Sequence, residues 1–156
     1  MMHDSEQEAR DLPSMGYFDG REHFYPIRVF YEDTDFSGVV YYANYLRFLE
    51  RARSSFFRLA GISHAELLER DTPLAFVIRK INLDYKRSAK IDDVLSVMTT
   101  YDVFKGARLF VSQKIFRGGD LILTADSEAA CIDLEGRPKR APKEMMDSLR
   151  PYLLQS

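Results

Sequence analysis

Between Arg28 and Arg53 the period of the chain changes. The stretch RVFYEDTDFSGVVYYANYLRFLERAR begins as an alternating strand, packs Glu32, Asp33 and Asp35 into an acidic turn, passes Gly38 and two valines, and becomes helical. Tyr45, Leu49, Ala52, Phe56 and Leu59 recur at steps of four, three, four and three, one face of a helix, with Leu46, Arg53 and Phe57 flanking it. Its second half is apolar over more than half the circumference, so it must be surrounded. Gly61 after Ala60 supplies a permissive end, which predicts a helix over residues 43–60, about 27 Å long.

The flanking stretches supply the surroundings. Residues 24–31 alternate as a strand. Ser63 starts a short helix in capping-box relation to Glu66, with Ala65, Leu67 and Leu68 as its apolar side and His64 on a solvated surface. Strands are predicted over 74–86, 94–104, 108–117 and 121–133; Lys105-Gly106 and Gly118-Gly119-Asp120 join the last three into an antiparallel meander. Pro142 opens a C-terminal helix over 142–150, and Pro151 follows it. Residues 1–22 show no period and read as a mobile arm, while nothing divides residues 23–156. The expected fold class is α+β, in the hotdog arrangement: a curled antiparallel sheet of about five strands wrapped around one long central helix.

Composition narrows the function. With 22 basic and 24 acidic residues the net charge is -2, which offers no whole-molecule field for nucleic acid or an anionic membrane, so any anion needs a local cluster. Cys131, the single cysteine, stands in an alternating apolar strand and reads as buried and inert. No apolar run approaches the roughly 18 residues of a membrane span, and MMHDSEQEARD lacks the order of a signal peptide, so a reducing cytoplasm is the expected compartment. Without a Gly-rich phosphate loop, nucleotide hydrolysis and hydride transfer are disfavoured.

The acidic turn carries the candidate chemistry. Asp33, Asp35, Ser37 and Gly38 match the start of a calcium loop, but the twelfth position is Asn44 instead of a bidentate Glu and a strand precedes the loop, so no metal is expected. Glu32 and Asp33 read as turn residues, with Asp33 fixing the loop through backbone amides. Asp35 stands apart, because Gly38 allows close backbone approach and the chain then enters a helix whose first N–H groups are unpaired. A carboxylate there can act on a carbonyl polarised by those amides, an acyl-transfer geometry.

From Tyr31 to Arg53 the sequence resembles the signature of the hotdog acyl-CoA thioesterases, the group of the 4-hydroxybenzoyl-CoA and Tol-Pal-associated thioesterases. The likeness extends through LDYKRSAKIDD (83–93) to GRPKRAP (136–142). It implies that Asp35 is the catalytic carboxylate, as nucleophile or general base, and that the backbone N–H of Tyr42 polarises the thioester carbonyl. Many Tol-Pal-type members carry a His where Tyr42 stands; the amide survives that exchange. Glu50, the position of a reacting carboxylate in another hotdog branch, reads here as a partner of Arg47 or Arg53. Tyr31 and Tyr41 read as packing aromatics or as walls of an acyl pocket.

Coenzyme A phosphates need cations, and Lys86 with Arg87 and Lys139 with Arg140 are the candidate pairs. The resemblance places both at the CoA entrance with contributions from two subunits, hence a homodimer or tetramer. The expected activity is hydrolysis of an acyl-CoA, or of an acyl carrier protein thioester, without a cofactor. The alternatives are an acyl-carrier or cell-envelope partner-binding protein with little turnover and a hotdog dehydratase; the latter needs a proton-shuttling His, and His3, His23 and His64 all lie outside the signature. Phe36, Phe48, Phe56, Phe57 and Phe76 make an aromatic-lined pocket plausible.

Overall fold

Alternation builds the sheet, and the helix fills its concave face. The computed structural model describes residues 4–155; residues 1–3 of the expected arm lie outside the described residues. Helix α1 (Asp4–Asp11) buries nothing and leads into strands β1 (Tyr17–Asp19) and β2 (Glu22–Arg28). A 3-10 turn (Tyr42–Asn44) opens the central helix α2 (Tyr45–Leu59), which is followed by α3 (His64–Leu68). Four long strands come next: β3 (Leu74–Tyr85), β4 (Val94–Lys105), β5 (Arg108–Arg117) and β6 (Asp120–Asp133), and helix α4 (Lys143–Leu149) closes the order.

The six strands form one antiparallel sheet in the order β1-β2-β4-β5-β6-β3. The meander β4-β5-β6 is the one expected, but the sheet has six strands rather than five. The added strand β1 falls inside the stretch expected to be an arm, where three residues are too few to show a period. It pairs Tyr17 with Phe24 and Asp19 with Glu22. The strand expected to start at residue 24 begins at Glu22 and ends at Arg28, after which Val29 N–H donates to Asp93 O.

On α2, the residues Tyr45, Phe48, Leu49, Ala52, Phe56 and Phe57 are buried. Leu46 and Leu59 stay exposed, so the apolar stripe is narrower than its count suggested. The first half of the helix packs with Ile27, Leu95, Val97, Ile115 and Leu123, and the second half with Leu109, Val111, Cys131, Met145 and Leu149. Burial pushes the Cys131 thiol up, consistent with an inert cysteine.

The N-terminal hairpin is seated by a close approach. Gly16, at φ +74°, lies where an added Cβ would meet Phe24 O at 2.0 Å, and the ring of the buried His23 donates from Nε2 to Met15 O at 2.7 Å. Gly16→Ala therefore displaces this segment, with an expected cost of about 1–3 kcal/mol and a melting temperature lower by roughly 3–10 °C on a scanning calorimeter. An unchanged melting temperature would mean that the hairpin is not docked in solution.

Candidate active site

The acidic turn closes as a short hairpin loop. Gly38 N–H donates to Asp35 O (3.2 Å), Asp35 N–H donates to Val39 O (2.9 Å), and Thr34 bridges Val40. Gly38 has φ +80°, the left-handed conformation that such a loop requires, and the space beyond its Cα is open. Within this chain its role is the turn itself.

The two aspartates of the turn face different partners. Asp33 is buried: Phe30 N–H donates to its Oδ2 (2.8 Å) and the Asn44 side chain to its Oδ1 (2.9 Å), while Tyr41 N–H donates to its carbonyl (3.1 Å). It ties the strand end to the helix start, as its expected backbone bonds imply. Asp35 is half-exposed; Ser37 donates to its Oδ1 from both N–H (2.8 Å) and Oγ (2.6 Å), and Oδ2 has no partner among the described residues. Those bonds hold the Asp35 carboxyl below its ordinary range. In the sequence Ser37 figures only in the rejected calcium-loop match, although a Ser two residues after an Asp is a legible signal of an Asx turn.

Across from Asp35 stands the helix start. A cleft of about 290 Å³ is lined by Thr34 and Asp35 on the loop side and by Tyr41, Ala43, Asn44 and Arg47 on the helix side. Tyr42 N–H, the first amide of the turn, has no acceptor among the described residues. Tyr85 Oη donates to Tyr42 O (2.8 Å), and Tyr45 Oη accepts from Ala89 N–H (3.0 Å), so two phenols pin the helix start to the 85–89 segment. Tyr31, Phe36 and Tyr41 are exposed and do not pack in the core of this chain.

Two further cavities adjoin the cleft. Arg47 is shared with a groove of about 350 Å³ lined by Leu46, Glu50, Arg53, Ile78 and Ile81. Glu50, Arg53 and Ile78 are in turn shared with an inner chamber of about 70 Å³ that reaches Phe57, His64, Phe76 and Tyr101. Phe57 and Phe76 thus line a cavity, whereas Phe48 and Phe56 are core. Glu50 makes neither expected ion pair: its carboxylate accepts from Ser54 Oγ (2.7 Å), while Arg53 donates inward to Gln113 Oε1 (3.0 Å). His64 is half-buried at the chamber wall rather than fully solvated, and burial lowers its basicity.

The two basic pairs lie at opposite ends of the sheet. Lys86 and Arg87 both donate their amides to Ile122 O, and Lys139 donates its amide to Cys131 O. Nine residues along β6 separate those carbonyls, about 30 Å. Lys86 Nζ lies 3.0 Å from Asp84 and Arg87 lies 4.0 Å from Asp120, whereas Lys139 and Arg140 line an open cleft with Glu69, Arg70 and Asp71. Lys86 and Arg87 belong to the Asp35 end, because Val40 N–H donates to Ala89 O and Ile91 N–H to Gly38 O. One chain does not bring the two pairs together.

Residues 29–149 match the sequence profile described as the thioesterase-like superfamily. The acyl-CoA thioesterase YbgC of Haemophilus influenzae is 42% identical over 122 residues, 78% of this chain and 89% of that protein. The acyl-CoA thioester hydrolase YbgC of Escherichia coli O157:H7 is 36% identical over 124 residues, 78% of this chain and 91% of that protein. Among solved structures, a probable thioesterase from Bartonella henselae superposes with a TM-score of 0.75 at 41% identity, covering 78% of this chain and 99% of that one. Among the described residues, no helix is long and apolar enough to cross a membrane.

Proposed function

Because this chain belongs to the thioesterase-like superfamily, we propose that it hydrolyses an acyl-CoA thioester to a carboxylic acid and free coenzyme A, with Asp35 as the reacting carboxylate. The observation that carries the reading is a half-free carboxylate beside the helix start: Asp35, with Oδ2 unpartnered, lines a cleft whose other wall is Tyr41, Ala43 and Asn44, and the first amide of that turn, Tyr42 N–H, has no acceptor among the described residues. The amide donates a hydrogen bond to the developing oxyanion of the thioester, and the positive end of the helix adds to it. The hydrogen bonds from Ser37 hold the Asp35 carboxyl below its ordinary range.

Two routes meet this geometry. In the first, Asp35 attacks the carbonyl carbon, expels the CoA thiolate and leaves a mixed anhydride that water hydrolyses. In the second, Asp35 takes a proton from the attacking water. Rapid quenching followed by mass spectrometry separates them, since only the first leaves an acyl group on Asp35. The overall reading is tested by free-thiol release from short, long and aromatic acyl-CoAs and from an acyl carrier protein thioester. If none is cleaved, the reading fails. A dehydratase is disfavoured further by the placement of the histidines: His23 is buried against Phe18 and Phe56, and His64 faces the inner chamber instead of the cleft.

The working unit is a homodimer, alone or within a tetramer, acting in the cytoplasm. Strand β3 is a twelve-residue sheet edge with Val77 and Ile78 exposed, the kind of edge that proteins cover. Antiparallel pairing of β3 with its copy sets the Leu74 end of one chain beside the Tyr85 end of the other. The partner's Lys139 and the partner's Arg140 then approach Lys86 and Arg87, and the pairs that one chain keeps apart form one phosphate site. Sedimentation should give at least twice the 18.1 kDa chain mass. Dilution to the monomer should abolish thiol release; an active monomer would refute the shared site.

A further inference from the structure

The inner chamber ends in polar groups that a plain acyl chain would leave without partners. Tyr101 is 1% exposed, packs its ring on Phe56 and Phe57, and has a hydroxyl with no hydrogen bond to any described residue. Arg53 has five N–H donors, and among the described residues its one side-chain bond goes to Gln113 Oε1. Gln113 is itself used up, since its Nε2 donates to Leu49 O and to Thr99 Oγ1, both at 3.0 Å. His64 and Glu50 complete the wall, and Glu50 uses one oxygen on Ser54.

Tyr101, Arg53, His64 and Glu50 line one chamber. An alkyl tip entering it would shut the Arg53 and Tyr101 donors off from solvent without offering them a partner, at about 1–3 kcal/mol each. A tip that both donates and accepts would satisfy them. The charges of Arg53 and Glu50 offset one another, so the cluster suits a neutral polar group better than a second carboxylate.

The cleft, the groove and this chamber adjoin one another, sharing first Arg47 and then Glu50, Arg53 and Ile78 as walls. From Tyr42 to Arg53 the helix rises about 16 Å, and the Arg53 side chain leans back toward the N-terminus, which leaves a span of about eight carbons. Given the thioesterase reading above, on which this rests, we propose that the preferred substrate is a medium-length acyl-CoA bearing a hydroxyl at its far end, recognised by Arg53, Tyr101 and His64.

The test compares thiol release from octanoyl-CoA, 8-hydroxyoctanoyl-CoA and suberoyl-CoA, using the native full-length protein, Tyr101→Phe and Arg53→Met. The native protein should show kcat/KM higher by about tenfold or more for the hydroxylated ester than for octanoyl-CoA. In either variant that ratio should fall to about threefold or less. Tyr101→Phe removes one oxygen and keeps the ring packing, so it decides the matter if Arg53→Met does not fold. A ratio near one in the native protein, or one preserved in Tyr101→Phe, overturns the receptor and leaves the thioesterase reading standing. A preference for suberoyl-CoA over the hydroxylated ester overturns its neutral character. If none of the three esters is cleaved while other acyl-CoAs are, the chain-length assignment fails; if no thioester is cleaved at all, the thioesterase reading fails and takes this inference with it.

Discussion

Asp35→Asn should lower kcat/KM for any cleaved acyl-CoA by about two or more orders of magnitude, the scale of a lost acid–base or nucleophilic group, and leave the melting temperature nearly unchanged. The substitution keeps the size of the side chain and an oxygen to accept from Ser37, so the hairpin loop survives. What it removes is the anion. The pH profile follows from the same contacts: the Asp35 carboxyl sits below its ordinary value of 3.8, so the reactive anion is complete above that pH and is lost only as the pH falls through the lowered value. The acid limb of kcat/KM in the free protein should therefore lie below pH 3.8. A folded Asp35→Asn protein with native turnover, or an acid limb near pH 6, would remove Asp35 from the chemistry.

Asp33→Ala, two residues away, should instead act through stability. Asp33 is buried and both carboxylate oxygens are occupied, by Phe30 N–H and by the Asn44 amide, so truncation strands two buried donors. Each costs about 1–3 kcal/mol, and together they should lower the melting temperature by roughly 5–15 °C. Activity should fall as well, because Asp33 joins the loop that carries Asp35 to the helix start that carries Tyr42. At a temperature where Asp33→Ala is still folded, Asp35→Asn should be the less active of the two. The opposite ranking would mean that the roles of the two aspartates are exchanged.

That contrast marks how far the sequence was legible. The periods of α2 and of β3 to β6 are local, and the structure follows them to within a few residues. Hairpin joints are local too, so the β4-β5-β6 meander was readable. Strand β1 was not, because three residues, two of them exposed, carry no periodicity, and the signal that seats it, Gly16 against Phe24, is a contact between segments. The expectation that Glu50 pairs with a neighbouring arginine used helix spacing alone. It lost to Gln113, sixty residues from Arg53, whose side chain enters the helix flank from β5 and draws the guanidinium inward. The basic pairs show the same limit: each cluster was visible as a run, but their separation along β6 depends on the pairing of β3 with β6, which no single stretch encodes.

Cys131 makes the protein self-reporting. It is the only cysteine, completely shielded between the sheet and the surrounding helices, and coenzyme A leaves the reaction as a thiol. A thiol-reactive chromophore added to the folded protein therefore counts product with no background from the protein. Added in rising denaturant without substrate, the same reagent reads the opening of the core, one equivalent per chain. Catalytic and structural variants can thus be sorted with one dye: Asp35→Asn should silence the first signal, and Asp33→Ala should bring the second forward to lower denaturant.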